Sequence, residues 1–218
     1  MLGNSRELIA KRAAAELTPY SFVNLGIGIP TLVADFIDEE LYTLHTENGM
    51  LGVTSVEDEA IDPFIVNAGK LPVGEAIGAS YFSSADSFAM IRGGHIDVAI
   101  LGALQIDSKG RIANWAIPGK DIIGVGGAMD LLEGAKKIII TTNHVANDGS
   151  PKIVDECTFP ITSERVAETI ITDMAVFNWR GEHFELVELM GDSTIEEVQA
   201  NTTAYFTINE QLLQEGNV

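Results

Sequence analysis

The sequence predicts an α/β protein: an open, mostly parallel sheet flanked by helices, with an antiparallel hairpin in the C-terminal part. Three observations predict it. The first fifty residues alternate helix, strand, helix, strand, the βαβ pattern that sets strands side by side and parallel. Val98 to Leu101 is a nearly all-apolar run, as in a strand covered on both faces. From Pro151 onward the texture changes: Met174–Trp179, Arg180-Gly181 and His183–Leu189 read as two strands around a tight turn. With no internal repeat, low-complexity tract or clear linker, residues 1–218 are expected to form one domain, the hairpin-bearing region running from about 151 to 218.

Each element has a local cause. Asn4 to Leu17 reads as a helix, with Asn4 as cap, Glu7 three residues on and an Ala-rich centre. Phe22–Leu25 reads as a strand, Gly26-Ile27-Gly28-Ile29 as a loop, and Pro30 as the start of a helix through Leu32, Val33, Phe36 and Ile37. Leu41, Tyr42 and Leu44 lead a short strand into His45-Thr46-Glu47-Asn48-Gly49. An acid followed by Asn-Gly puts Glu47 on a tight turn at the strand's carboxyl end, the edge where open α/β sheets bind ligands. A plain surface turn is the competing reading.

Val53 to Pro63 is a solvated acidic loop, Phe64–Asn67 a short strand and Asn67–Lys70 a turn. Ser83-Ser84-Ala85-Asp86 caps a helix that runs to Arg92 and ends at Gly93-Gly94. Ser108–Gly110 turns the chain and Ile112–Trp115 returns it. Gly124-Val125-Gly126-Gly127 opens a short helix from Ala128 to near Gly134, and Lys137–Thr141 is the next strand. Ser193-Thr194-Ile195-Glu196 reads as a capping box for a helix to about Ala200, and Tyr205–Ile208 as a last strand.

Composition narrows the function. Hydrophobic residues make up 46% and mean hydropathy is +0.17, which excludes a disordered chain. No apolar run approaches the roughly 18 residues that span a bilayer. Met1–Glu7 does not read as a signal peptide, and Cys157, the single cysteine, has no partner for an internal disulfide. A cytoplasmic protein is expected. A net charge of −19 repels nucleic acid. It also means that a polyanionic ligand needs local help from helix starts, well-placed Lys or Arg, or a partner chain.

The chemistry-bearing residues are few. His45, His95, His144 and His183 have no metal-ligand spacing, so no metal is expected. There is no Gly-x-Ser-x-Gly, and acids flank Cys157, which makes a poor nucleophile. His45 reads as a packed strand histidine or as a group that orients Glu47. Gly26-Ile27-Gly28 lacks the third glycine of a dinucleotide fingerprint, since Thr31 stands there, and reads as a tight βα turn or a weak phosphate cradle. Gly126-Gly127 directly before a helix suits close backbone approach and an oxyanion site; structural turn glycines are the alternative. A carboxylate can itself be the nucleophile.

The order of these motifs resembles the family I coenzyme A transferases. Thr46-Glu47-Asn48-Gly49 is similar to their Ser-Glu-Asn-Gly signature, with Thr for Ser. Asn24–Pro30, Ser80–Ser84, Phe88–His95, Leu101–Ala103, Ala113–Trp115, Ile117–Lys120 and Gly126–Leu131 follow in family order, so the resemblance runs from about residue 5 to 208. It is strongest to the beta chain of 3-oxoacid CoA-transferases. The resemblance implies the CoA-transferase/NagB-like fold and Glu47 as nucleophile, with ping-pong transfer of CoA through a glutamyl-CoA thioester. The Gly127 N–H would act on the oxyanion. Asn48, Gly49, Gly26, Gly28, Gly126, Lys70 and Lys120, with Arg92, are candidates around substrate or CoA. It implies no resident cofactor, coenzyme A as substrate, and a separate CoA-transferase alpha chain as partner, in a complex of two alpha and two beta chains. Butyrate- or acetate-acetoacetate specificity is an open alternative within the class. A sugar-phosphate isomerase or deaminase of similar fold and a non-catalytic member of a complex are the alternatives outside it.

Overall fold

The computed structural model describes residues 2–122 and 124–215. In chain order the elements are α1 (Leu2–Ala14), β1 (Phe22–Leu25), a 3-10 helix (Pro30–Phe36), β2 (Thr43–Thr46), β3 (Met50–Thr54), a 3-10 turn (Asp58–Ala60), β4 (Gly74–Tyr81), α2 (Ser84–Arg92), β5 (Val98–Gly102), β6 (Gln105–Asp107) and β7 (Ile112–Ala113). Then follow α3 (Ala128–Gly134), β8 (Lys137–Thr141), β9 (Ile153–Val154), β10 (Thr169–Ile171), β11 (Ala175–Trp179), β12 (Phe184–Leu189), α4 (Ile195–Ala200), β13 (Phe206–Ile208) and α5 (Glu210–Glu215).

Ten strands form one sheet in the order β13-β12-β11-β10-β8-β5-β1-β2-β3-β4. The central block β10-β8-β5-β1-β2 is parallel throughout. Antiparallel wings flank it: β10-β11-β12 on one side and β2-β3-β4 on the other. A second sheet, β7-β6-β9, stands apart.

The apolar runs of the central strands are explained by burial on both faces. On β8, Ile138 and Ile140 join a core with Ile91 of α2 and Leu131 and Leu132 of α3, while Ile139 joins another with Ile9 and Ala13 of α1. Leu101 and Ile100 of β5 divide the same way, as a period of two requires. Among the described residues no helix is long and apolar enough to cross a membrane.

Several expectations are corrected. α1 begins two residues ahead of Asn4 and stops short of Leu17. The segment from Pro30 is 3-10 rather than α. Phe64–Asn67 is not a strand: Phe64 is 91% exposed and a single bridge, Val66 to Pro72, is all the pairing it has. The capping box sits one residue later, with Thr194 accepting from Glu197 N–H and the Glu197 carboxylate accepting from Thr194 N–H. β3 and β4 were not expected. β4 is an exposed edge strand with Ile77 in solvent, and Gly52 puts a bulge in β3, so neither carries a clean period-two pattern.

Candidate active site

Parallel alignment of β1, β2, β5 and β8 brings their carboxyl ends to one rim of the sheet. Glu47 follows β2 directly and stands on the turn into β3. The Gly49 N–H closes that turn on the Thr46 carbonyl at 3.0 Å. Gly49 has φ +127°, and a methyl there would run into the Phe82 carbonyl, so the turn requires glycine.

The turn is strapped to the loop that follows it in space. Thr46 Oγ1 donates to Asn48 Oδ1 at 2.7 Å and accepts from Ala68 N–H at 2.8 Å, while Asn48 Nδ2 donates to the Val66 carbonyl at 2.7 Å. Asn48 therefore has its amide engaged at both ends by the protein itself. The strapped loop continues into the Asn67–Lys70 turn, closed by Lys70 N–H on the Asn67 carbonyl at 2.9 Å, with Lys70 in the left-handed region at φ +62°. A methyl on Gly69 would sit 3.4 Å from Ile27 Cγ1, so the Gly26–Gly28 loop abuts the same turn.

Two groups face the half-buried Glu47 carboxylate. Asn24, fully buried on β1, donates from Nδ2 to Glu47 Oε2 at 3.2 Å. The same Nδ2 lies 3.1 Å from His45 Nδ1 and 3.2 Å from the His45 carbonyl. Register explains the meeting: Asn24 pairs with His45 across β1 and β2, and Glu47 lies two residues past His45, a spacing that returns to one face. Gly127 faces the other oxygen. A methyl there would stand 3.1 Å from Glu47 Cγ and 3.4 Å from Oε1. Gly127 is the N-cap of α3, and Gly126 before it turns the chain with φ +52°.

His45 is a packed histidine that also orients. Burial pushes its imidazole down to about 4, so it is neutral at physiological pH. Because Asn24 Nδ2 points at two other acceptors, His45 Nδ1 accepts from it. The ring proton then lies on Nε2 and is donated to Ser87 Oγ, buried in α2, at 2.9 Å. Phe82 stacks on the ring at 6.1 Å between centroids. Ser87, His45 and Asn24 thus connect α2 to the Glu47 carboxylate. Of these, Ser87 was missed from the sequence and Asn24 was seen only as part of a motif; the signal that finds Asn24 is its register against β2.

The remaining candidates lie elsewhere. Arg92 donates to Asp130 Oδ1 at 2.6 Å and lies 5.6 Å over the Phe88 ring, so it ties α2 to α3. Lys120 is exposed and lines a separate cavity with Arg6 and Lys152. Cys157 has its thiol pushed up to about 12, first by burial and then by Asp107, which leaves it unreactive.

A carboxylate on a glycine turn, held by an amide on one oxygen and met by a glycine-led helix at the other, suits nucleophilic attack on a carbonyl. A sequence model of the coenzyme A transferase family matches residues 6–201. This chain belongs to the coenzyme A transferase family. The corresponding chain of the two-chain succinyl-CoA:3-ketoacid coenzyme A transferase of Helicobacter pylori is 47% identical over 94% of this chain and 99% of its own length. The beta chain of the acetate CoA-transferase of Escherichia coli is 44% identical over 96% of each. The acyl-CoA transferase YdiF of Escherichia coli has the same fold, with a TM-score of 0.77 at 23% identity; this transferase spans 42% of that chain. The decarboxylase AibA/AibB also shares the fold, with a TM-score of 0.69 at 19% identity over 94% of this transferase and 86% of that chain. The fold alone therefore does not fix the chemistry.

Proposed function

We propose that this chain is the nucleophile-bearing beta chain of a cytoplasmic 3-oxoacid CoA-transferase and works with a separate alpha chain, in a complex of two alpha and two beta chains. It moves CoA between an acyl-CoA, succinyl-CoA or a short-chain one, and acetoacetate or another short carboxylate. The observation that carries the reading is the Glu47 carboxylate lying between Asn24 Nδ2 and Gly127.

In the proposed reaction a Glu47 oxygen attacks the thioester carbonyl and the CoA thiolate leaves, giving a mixed anhydride. The thiolate then attacks the Glu47 carbonyl carbon and the acyl group departs as a free carboxylate, leaving a glutamyl-CoA thioester. A second carboxylate runs the same steps backwards. No general base is needed, because attacking carboxylates are already ionised near neutral pH.

Asn24 fixes which Glu47 oxygen is free to attack. The Gly127 N–H holds the developing oxyanion, a kind of donor whose loss typically costs about 10²–10³ in rate. The alpha chain supplies a second donor. Lys70, carried on the loop strapped to Thr46, meets the substrate carboxylate, while Gly26, Gly28 and Gly49 let backbone come close. Coenzyme A comes and goes as substrate.

The test is a panel of acyl-CoA donors and carboxylate acceptors assayed with the co-expressed alpha chain. Exchange between succinyl-CoA or acetyl-CoA and acetoacetate is expected, with parallel-line kinetics. Absence of exchange for every pair, with the complex intact, would refute the reading.

A further inference from the structure

We propose that the cavity walled by Arg6, Lys120 and Lys152 receives the phosphate groups of the coenzyme A substrate. The inference rests on the transferase reading and adds the place where the nucleotide end of the substrate is held.

The chain carries 32 acids and only 13 Lys and Arg. Among the described residues, seven of those 13 hold a carboxylate at ion-pair distance. Three of the other six converge on one cavity of about 490 Å³, where a net acidic surface would otherwise repel a phosphate. Arg6 comes from α1, Lys120 from the loop before α3, and Lys152 from the segment after β8. The cavity is firmly built. Its far wall is the 145–151 hairpin, closed by Ala146 N–H on Ser150 O at 2.8 Å and by the Val145–Pro151 bridge.

Lys152 is the most telling member. Its half-buried ammonium donates to Thr142 Oγ1 at 2.9 Å and, among the described residues, has no carboxylate within ion-pair distance. Burial pulls its pKa below the ordinary lysine value, and Asp173 only partly opposes this. A partly desolvated cation without a counter-ion gains most when an anion arrives. The one acid in the wall, Asp148, has its Oδ1 engaged by Ser150 N–H at 3.0 Å and Ser150 Oγ at 2.6 Å, so three cations outweigh it.

Position agrees with the chemistry of the substrate. The thiol of coenzyme A is separated from its phosphates by the long pantetheine arm, so the phosphates must bind well away from Glu47. The cavity lies past the carboxyl end of β8, three strands from β2 in the sheet and therefore about 14 Å along the same rim. One segment joins the two places: the loop bearing Lys120 runs on to Gly127, which faces Glu47.

The experiment uses the complex co-expressed with the alpha chain, comparing Arg6→Gln, Lys120→Gln and Lys152→Gln with Lys109→Gln, a cation outside the cavity. Adenosine 3′,5′-bisphosphate binding, read by calorimetry, should weaken about tenfold for each cavity variant and stay unchanged for Lys109→Gln. The KM for acyl-CoA should rise about tenfold with kcat kept, while acyl-pantetheine, which lacks the nucleotide phosphates, should be turned over as by the parent. Bisphosphate affinity unchanged in the exposed Arg6 and Lys120 variants, or equal losses with both thioesters, would overturn the site. A complex that turns over neither thioester yet loses bisphosphate affinity in these variants would sink the transferase reading and leave the phosphate site standing.

Discussion

The side-chain amide of Asn24 donates to Glu47 Oε2 across 3.2 Å, joining a fully buried strand residue to a half-buried carboxylate on the neighbouring turn. The bond leaves Oε1 facing Gly127. Asn24→Ala should keep Glu47 but lose its aim. A hydrogen bond to a charged group is worth about 1.5–3 kcal/mol, so kcat should fall about ten- to a hundredfold. Asn24→Asp sets a second carboxylate against Glu47 and should cost more than the alanine. Steady-state rates with the alpha chain present check both, and an Asn24→Ala enzyme at parental rate would discard the aiming role.

Gly127 has φ −85°, which alanine adopts without strain, so Gly127→Ala should fold normally. The added methyl stands 3.1 Å from Glu47 Cγ and must push the carboxylate aside. Displacement by a fraction of an ångström to one ångström should lower kcat about a hundredfold with Tm nearly unchanged. Circular dichroism melts beside a rate assay separate this from simple unfolding.

Gly49 gives the opposite pattern. With φ +127° and the Phe82 carbonyl in the way, Gly49→Ala should destabilise the fold by about 2–4 kcal/mol as well as abolish activity. Urea unfolding measures the first effect. An unchanged midpoint would show that the turn tolerates a side chain and can rearrange.

Acid should weaken the fold earlier than its carboxylates alone require. Burial pushes His45 and His144 down to about 4, against an ordinary value of 6.5. Below 6.5 the unfolded chain takes up protons that the folded chain refuses. The contribution is therefore complete above pH 6.5 and is lost as pH falls from 6.5 towards 4, by about 3 kcal/mol for each imidazole. Unfolding free energies from pH 7 to 4.5 should slope accordingly. His45→Phe keeps a ring against Phe82 and should remove about half of that slope.

Local signals carried much of this molecule in its sequence. β1, β8 and α3 begin and end where Phe22–Leu25, Lys137–Thr141 and Ala128–Gly134 were expected, because caps, glycines and apolar runs mark them. β4 was illegible because an exposed edge strand has no buried face to impose a period. The Glu47 turn and Gly127 were legible as motifs. Ser87 was not, since its link to Glu47 runs through His45 and Asn24, and only strand register and the packing of α2 create that contact. Asn48 stood out as a polar turn residue, yet its amide is bonded to Thr46 and Val66, a tertiary arrangement that no spacing discloses.

The most direct measurement is mass analysis of the chain after brief incubation of the two-chain complex with acyl-CoA and quenching in acid. A CoA adduct on the peptide containing Glu47, absent from Glu47→Gln, is the expected result. A full-length chain without adduct during active turnover, or a Glu47→Ala complex that retains its rate, would contradict the central role of this carboxylate.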